Sequence, residues 1–100
     1  MDNNICITGL GIICSIGNDA ASVLDSLREG RPGIGSIKYL ETRHSHLPVG
    51  EVQLSDDQMK EILGIEGSEP MSRTSLMGAI AVRQALEQAG ITDISGKRVA

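Results

Sequence analysis

The feature that most constrains this chain is a glycine-punctuated apolar stretch at its N-terminal end. It opens with a β-branched run, Ile5 to Thr8, which favours a buried strand over a helix. Gly9 and Gly11 then interrupt the run, and glycine permits close backbone approaches that a Cβ would block. Asn18 or Asp19 can cap a following helix, since either side chain accepts a bond from a first-turn N–H. The stretch therefore predicts a strand, a glycine loop and a helix start, the opening of an α/β unit.

One functional interpretation of this stretch is a dinucleotide-binding turn. Gly9-Leu10-Gly11 after a strand imitates the start of G-x-G-x-x-G, but Cys14 stands where the third Gly or Ala is needed. A pyrophosphate also requires a helix N-terminus at the glycines, whereas the capping signal comes only at Asn18 and Asp19. The match is poor, and a nucleotide-binding α/β module remains an alternative.

Two helices are predicted in the first two thirds of the chain. The first runs to Glu29 and ends at Gly30, with one helical stripe of apolar residues and with Ser26 on the opposite, solvent-facing side. The stripe consists of Ala20, Val23, Leu24 and Leu27. The second begins at Ser55 with a capping box to Gln58 and ends near Leu63. Before it, the alternating residues from Val49 to Leu54 predict a short strand.

A longer helix is predicted from Met71 or Ser72 to Ala89, with Gly90 after it. Its broad sector of small residues includes Gly78, Ala81 and Ala85, and we expect this sector to contact a closely approaching layer. Met77 and Ile80 fall on the opposite side, which indicates a partial second contact. After a connecting loop, Lys97 to Ala100 predict the first residues of a new strand.

Composition narrows the class of protein. The chain has 100 residues, 40% of them hydrophobic, and a single aromatic residue, Tyr39, so its core must be aliphatic. Its 9 basic and 13 acidic residues give a net charge of −4 without a basic patch, which gives nucleic-acid binding no support. No apolar run approaches the roughly 20 residues that span a bilayer. Cys6 and Cys14 lack a CxxC spacing, and we expect them to be reduced in a cytoplasmic protein.

Three segments together resemble a known family of enzymes. Thr8-Gly9-Leu10-Gly11, followed by Ile16-Gly17-Asn18, resembles the opening of the β-ketoacyl-acyl-carrier-protein synthases, the condensing enzymes of fatty-acid and polyketide synthesis in the thiolase-like superfamily. These enzymes usually have Pro or Ala where this chain has Ile16. Pro48 to Val52 is similar to their short strand, and Met71-Ser72-Arg73 through Ala89-Gly90 to their long helix, with Ser72 where Asp is usual. The resemblance covers nearly all of the chain, in the same order.

The resemblance implies a fold and an activity. The fold class is α/β, the N-terminal part of a thiolase-like layered α/β/α/β/α fold, with residues 1–100 an incomplete N-terminal portion of a ketoacyl synthase domain. The activity is that of a 3-oxoacyl-[acyl-carrier-protein] synthase, the decarboxylative condensation of an acyl thioester with malonyl-ACP. Acyl carrier protein and acyl thioesters are the implied partners, the complete enzyme is a homodimer, and no cofactor and no metal are implied.

The resemblance assigns no catalytic residue to this chain. The family uses a cysteine in a T-A-C-S-like turn and two histidines in glycine-rich loops, and none of these motifs occurs in residues 1–100. Cys14 lies in the first loop, with no Lys, Arg or His in residues 9–18 to stabilise a thiolate. We therefore expect the 100 residues alone to be inactive. An unfinished sheet leaves unpaired strand edges and bare aliphatic surface, so we also expect them to be poorly soluble, oligomeric or only partly ordered. A non-catalytic relative resembling a chain-length factor is a second alternative.

Two polar pairs invite a functional interpretation. His44 and His46 form an H-x-H pair that could bind a metal ion, but no nearby Cys, Asp or Glu completes a ligand set, so exposed loop histidines are expected. Asp56 and Asp57 fall in the first turn of the second helix, where the helix dipole favours negative charge. Capping explains these carboxylates without a catalytic role.

Overall fold

The computed structural model describes residues 4–98, in which three helices and two short strands are formed. In chain order they are helix α1 (Ala20–Glu29), strand β1 (Ile34–Gly35), strand β2 (Val49–Gly50), helix α2 (Asp56–Leu63) and helix α3 (Arg73–Ala89). The predicted strand start at Val99 and Ala100 lies outside the described residues.

The helices begin and end where the sequence predicts. Asp19 and Ser22 form a capping box at the start of α1, and Ser55 and Gln58 form another at the start of α2. Ser72 caps α3 by accepting from the N–H of Ser75. Each helix ends at a glycine in the left-handed region, which an L residue adopts only with strain: Gly30, Gly64 and Gly90, with φ of 68°, 71° and 73°.

The sheet is smaller than predicted. Strands β1 and β2 pair antiparallel, with Ile34 opposite Gly50 and Gly35 opposite Val49. The strand expected from Val49 to Leu54 therefore ends after two residues. Beyond it, Glu51 and Val52 are buried and form contacts with a loop and with α3 rather than with a strand.

The apolar core lies between α2 and α3, and it corrects the predicted orientation of α3. Met59 of α2 packs with Leu76 and Ile80 of α3, and these are the buried members of the core cluster. The half-buried residues around them are Ile13, Leu54, Leu63, Ile65, Met71 and Met77. The side of α3 that carries Met77 and Ile80 is thus the main contact rather than a partial one. The periodicity of α3 did not predict this contact, because most of its apolar residues fall in the wide small-residue sector on the other side.

Helix α1 lies on the surface, as expected, but its buried residue is not an apolar one. Ser26, predicted to face solvent, is only 3% exposed, whereas Leu24 and Leu27 of the predicted apolar stripe are exposed. The Ser26 hydroxyl donates to the carbonyl oxygen of Ile16 at 2.6 Å, so its burial leaves no polar group unsatisfied. A hydrogen bond to the preceding turn, rather than an apolar stripe, holds this face of α1.

The predicted buried strand from Ile5 to Thr8 is not formed. Residues 4–13 are assigned to neither helix nor strand, and Ile5 and Ile7 are 99% and 87% exposed. A strand needs a hydrogen-bonded partner, and none of the residues described pairs with this segment. The β-branched residues of this segment therefore favour a strand, but the described part of the chain offers them no strand to pair with.

Candidate functional site

The residues that carry the sequence signature form one junction, at which residues 9–18 cross helix α3. The contact depends on the absence of side chains. A Cβ on Gly9 would overlap the carbonyl oxygen of Ala85 and lie 2.8 Å from the amide nitrogen of Ala89. A Cβ on Gly11 would overlap the carbonyl oxygen of Ala81. Both glycines are therefore required by the close approach of the helix backbone.

The segment is extended and runs antiparallel to α3. The contact moves from Ala85 to Ala81 as the chain advances from Gly9 to Gly11. Four helical residues rise by about 6 Å, which is close to the span of two extended residues at about 3.3 Å each. The predicted close contact at Ala81 and Ala85 is thus confirmed. Among the described residues, no atom lies within 4 Å of a Cβ built on Gly78, so the prediction is wrong at that residue.

Two glutamines of α3 bind the backbone of the crossing segment. The Oε1 atoms of Gln88 and Gln84 accept the N–H groups of Leu10 and Ile12 at 2.7 and 2.9 Å. The Nε2 group of Gln84 also donates to the carbonyl oxygen of Asn18. Gln84 therefore joins both ends of the loop that separates the glycines from α1.

Between those ends the chain forms a tight turn. The amide of Cys14 donates to the Gly17 carbonyl at 2.9 Å, and the amide of Gly17 donates back at 3.4 Å. A Cβ on Gly17 would lie 2.6 Å from the backbone nitrogen of Val23, so this glycine admits the first turn of α1. The turn is a structural connection between the crossing segment and α1.

This geometry opposes the dinucleotide-binding interpretation. The glycines lie against the middle and end of α3 rather than at the start of a helix, where amides could receive a pyrophosphate. The nearest helix start in sequence, that of α1, is already capped by the carboxylate of Asp19, which accepts the amide of Ser22 at 2.8 Å. An anion there would meet a like charge.

The candidate reactive side chains are not brought together. His44 and His46 are exposed in a turn, as predicted, with ring centroids 6.3 Å apart in an edge-on arrangement. Cys14 is half-buried and free. Within residues 4–98 no group of three or more His, Cys, Asp or Glu side chains is placed to hold a metal ion. Asp56 forms an ion pair with Arg73 at 2.9 Å in addition to its position in the first turn of α2.

A buried carboxylate was missed by the sequence analysis. Glu51 is 9% exposed, and its two oxygens accept the backbone amides of Lys38, Tyr39 and Leu40 at 2.9 to 3.2 Å. The available signal was a Glu inside an expected strand, between Gly50 and Val52. Arg73 lies nearby, donating to the Val52 carbonyl at 2.8 Å and stacking 5.2 Å from the centre of the Tyr39 ring.

The electrostatics follow from these bonds. Burial by itself raises the pKa of Glu51, but the amides of Lys38, Leu40 and Tyr39, with the charge of Arg73, together hold that pKa below its ordinary value. The pKa of Asp19 is also lowered, first by the Ser22 amide and then by the Ser22 hydroxyl. Both carboxylates are therefore charged near neutral pH and serve as hydrogen-bond acceptors, not as proton donors.

Comparison with known proteins identifies the family. Residues 2–100 match the family described as "Beta-ketoacyl synthase, N-terminal domain". The chain belongs to this family. A thiolase-like α/β fold is implied by that membership, and the helices and small sheet described above are consistent with it.

The relatives in this ketoacyl synthase family include two kinds of protein. Nodulation protein E of Rhizobium sp. (strain N33) is 34% identical over 96 residues, 92% of this chain and 22% of that protein. The 3-oxoacyl-[acyl-carrier-protein] synthase 1 of Escherichia coli (strain K12) is 37% identical over 87 residues, 86% of this chain and 21% of that protein. The chain thus spans about a fifth of the length of these relatives. No solved structure gives a significant match.

Among these relatives, those named for an activity are 3-oxoacyl-[acyl-carrier-protein] synthases. In the part of the chain that is described, no helix is long and apolar enough to cross a bilayer. The family signature around Gly9 and Gly11 and the small-residue helix that carries Ala81 and Ala85 lie in direct contact. Two segments about 70 residues apart in sequence are therefore one structural unit.

Proposed function

We propose that this chain is the N-terminal part of a 3-oxoacyl-[acyl-carrier-protein] synthase. Such an enzyme condenses an acyl thioester with malonyl-ACP, forming one carbon–carbon bond and releasing CO2 and a free thiol. The observation that carries the proposal is the family match over residues 2–100, supported by identities of 37% and 36% to synthases from Escherichia coli and Buchnera aphidicola. Acyl carrier protein is the proposed partner, and the proposed complete enzyme is a cytoplasmic homodimer.

The shape of the chain supports a larger layered fold. Its radius of gyration is 16.3 Å, and its smallest dimension is 19 Å. A compact domain of 100 residues has a radius of gyration of about 13 Å. The accessible surface of the present chain is 7715 Å², whereas a compact monomer of this mass exposes about 5,500 Å². In the proposed enzyme the remaining layers cover the excess, including the exposed side chains of Ile5 and Ile7.

The proposed chemistry belongs to residues outside this chain. The half-buried Cys14 lies in a tight turn whose role is to connect the crossing segment to α1. No Lys, Arg or His occurs in residues 9–18, so a thiolate there has no neighbouring cation in sequence to stabilise it. The proposal therefore places the nucleophilic cysteine and both histidines beyond residue 100.

The test is a condensation assay on the purified full-length protein with an acyl-ACP and malonyl-ACP. Mass spectrometry of the carrier protein should detect the 3-oxoacyl product, with an equal amount of CO2 released. Residues 1–100 alone should give neither. A folded full-length protein that releases no CO2 and forms no product would contradict the proposal and favour the non-catalytic relative.

A variant separates the role of Cys14 from that of the proposed nucleophile. Cys14→Ala in the full-length protein should leave the condensation rate largely unchanged, because the thiol contributes only packing in the turn. A loss of several orders of magnitude with an unchanged circular dichroism spectrum would place the nucleophile in this loop and overturn the assignment.

A further inference from the structure

The carboxylate of Glu51 lies where three successive backbone amides converge. We call the N–H groups of Lys38, Tyr39 and Leu40 the amide cradle. The outer two amides donate to different carboxylate oxygens at 2.9 Å, and the middle one donates to both at 3.2 Å. Successive amides that point to one spot in a turn form a concave site for an anion. Glu51 occupies that site from a position 11 to 13 residues later in the chain.

The negative charge of Glu51 is balanced by these amides rather than by an ion pair. None of the ion pairs found within residues 4–98 includes Glu51. Arg73, whose charge helps to lower the pKa of Glu51, donates to Asp56 and to the Val52 carbonyl instead. The Lys38 ammonium donates to the side chain of Gln53 at 3.2 Å. The buried charge of Glu51 is therefore stabilised by the amide cradle, and the three cradle amides have the Glu51 carboxylate as their acceptor.

The cradle also fixes the loop that joins β1 to β2. Tyr39, its middle residue, stacks against the Arg73 guanidinium at the start of α3. The side-chain amide of Gln53 donates to the backbone carbonyl of Glu51 at 2.8 Å, which holds the backbone at Glu51. The loop residues beyond the cradle are largely exposed, Arg43, His44 and His46 among them. Position and orientation of this loop are thus set at one charged contact.

We propose that the amide cradle is a carboxylate-binding site and that Glu51 is its intramolecular ligand, so that the conformation of residues 36–47 requires an anion at this point. The ligand class is a small carboxylate, because two oxygens in one plane match the three amides. Removal of the Glu51 carboxylate converts the site into an empty one that acetate fits, since acetate has the shape of the group lost in Glu51→Ala.

The experiment measures hydrogen exchange of the peptide that contains Lys38, Tyr39 and Leu40 in the full-length protein. In Glu51→Ala these amides should exchange roughly ten- to a hundred-fold faster, the range expected for lost bonds to a charged acceptor. Acetate should slow them again, and chloride at the same ionic strength should not. Glu41→Ala, which removes an exposed carboxylate from the same loop, is the matched control and should leave them unchanged.

The isosteric variant Glu51→Gln separates the anion from the shape of the side chain. It keeps the volume but replaces one acceptor oxygen with an NH2 group, which opposes an amide donor, so the cradle amides should again exchange faster. This variant also keeps the test valid if Glu51→Ala fails to fold. Wild-type exchange rates in Glu51→Gln, or an acetate effect no larger than that of chloride in a folded Glu51→Ala, would overturn the proposal.

Discussion

Helix α3 is held on two sides by opposite physical means. Towards α2, it is held by side chains, because Leu76 and Ile80 are buried against Met59. Towards the crossing segment it is held by the absence of side chains, because Gly9 and Gly11 let two backbones touch. The first contact gains apolar burial, whereas the second gains van der Waals contact and three hydrogen bonds to Gln84 and Gln88. A helix face without large apolar residues can therefore be just as specifically packed.

The largest expected effect is on the α2 side. Leu76→Ala removes a fully buried side chain and should destabilise the full-length protein by about 2–5 kcal/mol, the cost of lost burial plus a cavity. The change is measured as a shift of the urea unfolding midpoint. Glu61→Ala, which removes an exposed charged side chain from α2, is the control and should change stability by less than about 0.5 kcal/mol. Equal effects of the two variants would show that α2 and α3 do not form the core.

The glycine side should be next in size. Gly11→Ala introduces a Cβ into the carbonyl group of Ala81, a backbone atom that cannot move aside alone, and should cost about 1–3 kcal/mol by overpacking. Gly35→Ala is the matched control, because nothing lies within 4 Å of a Cβ at that residue. Urea unfolding of both variants decides the point. A neutral Gly11→Ala would mean that residues 9–13 do not contact α3 in solution.

A smaller effect is expected at the glutamines. Gln84→Leu removes the acceptor for Ile12 and the donor to Asn18, two hydrogen bonds worth about 0.5–1.5 kcal/mol each. Gln88→Leu removes only the hydrogen bond from Leu10 and should lower the stability about half as much. Hydrogen exchange at the amide of Ile12 should rise more in Gln84→Leu than in Gln88→Leu. The reverse order would assign the main anchor to Gln88.

The smallest effect, with the opposite sign, is expected at the open position of α3. Gly78→Ala places a methyl group where no atom lies within 4 Å, and a Gly in a helix interior costs about 0.5–1 kcal/mol relative to Ala. The variant of the full-length protein should therefore be stabilised by that amount in thermal unfolding. Destabilisation instead would reveal a third covered side of α3.

Local signals made the helices predictable, and long-range contacts made the rest unpredictable. The helix ends are set by contacts within a few residues, which makes them predictable from the local sequence. These contacts are made by the caps Asp19, Ser55 and Ser72 and by the terminal glycines. The family resemblance marked both segments of the junction but did not predict that they are in contact. The predicted contact was confirmed at Ala81 and Ala85 and wrong at Gly78, because periodicity defines a sector of the helix but not which part of that sector is covered.

Buried polar residues were the other source of error. Ser26 was expected to face solvent and Glu51 was passed over, because a hydrophobic pattern counts both as surface residues. Each is buried with its acceptor or donor satisfied, Ser26 by the Ile16 carbonyl and Glu51 by the amide cradle. Their partners lie 10 to 13 residues away in irregular segments, and no periodicity predicts such a pairing.

The wide sequence separation of the crossing contact sets an order of events during synthesis. The bonds from Leu10 to Gln88 and from Ile12 to Gln84 join residues 78 and 72 positions apart. A ribosome that adds about 5–20 residues per second needs roughly 4–16 seconds to produce Gln88 after Leu10. Throughout that interval the amides of Leu10 and Ile12 lack their partners on α3. The crossing segment is therefore made well before its binding partner, and it can reach its place only after α3 has formed.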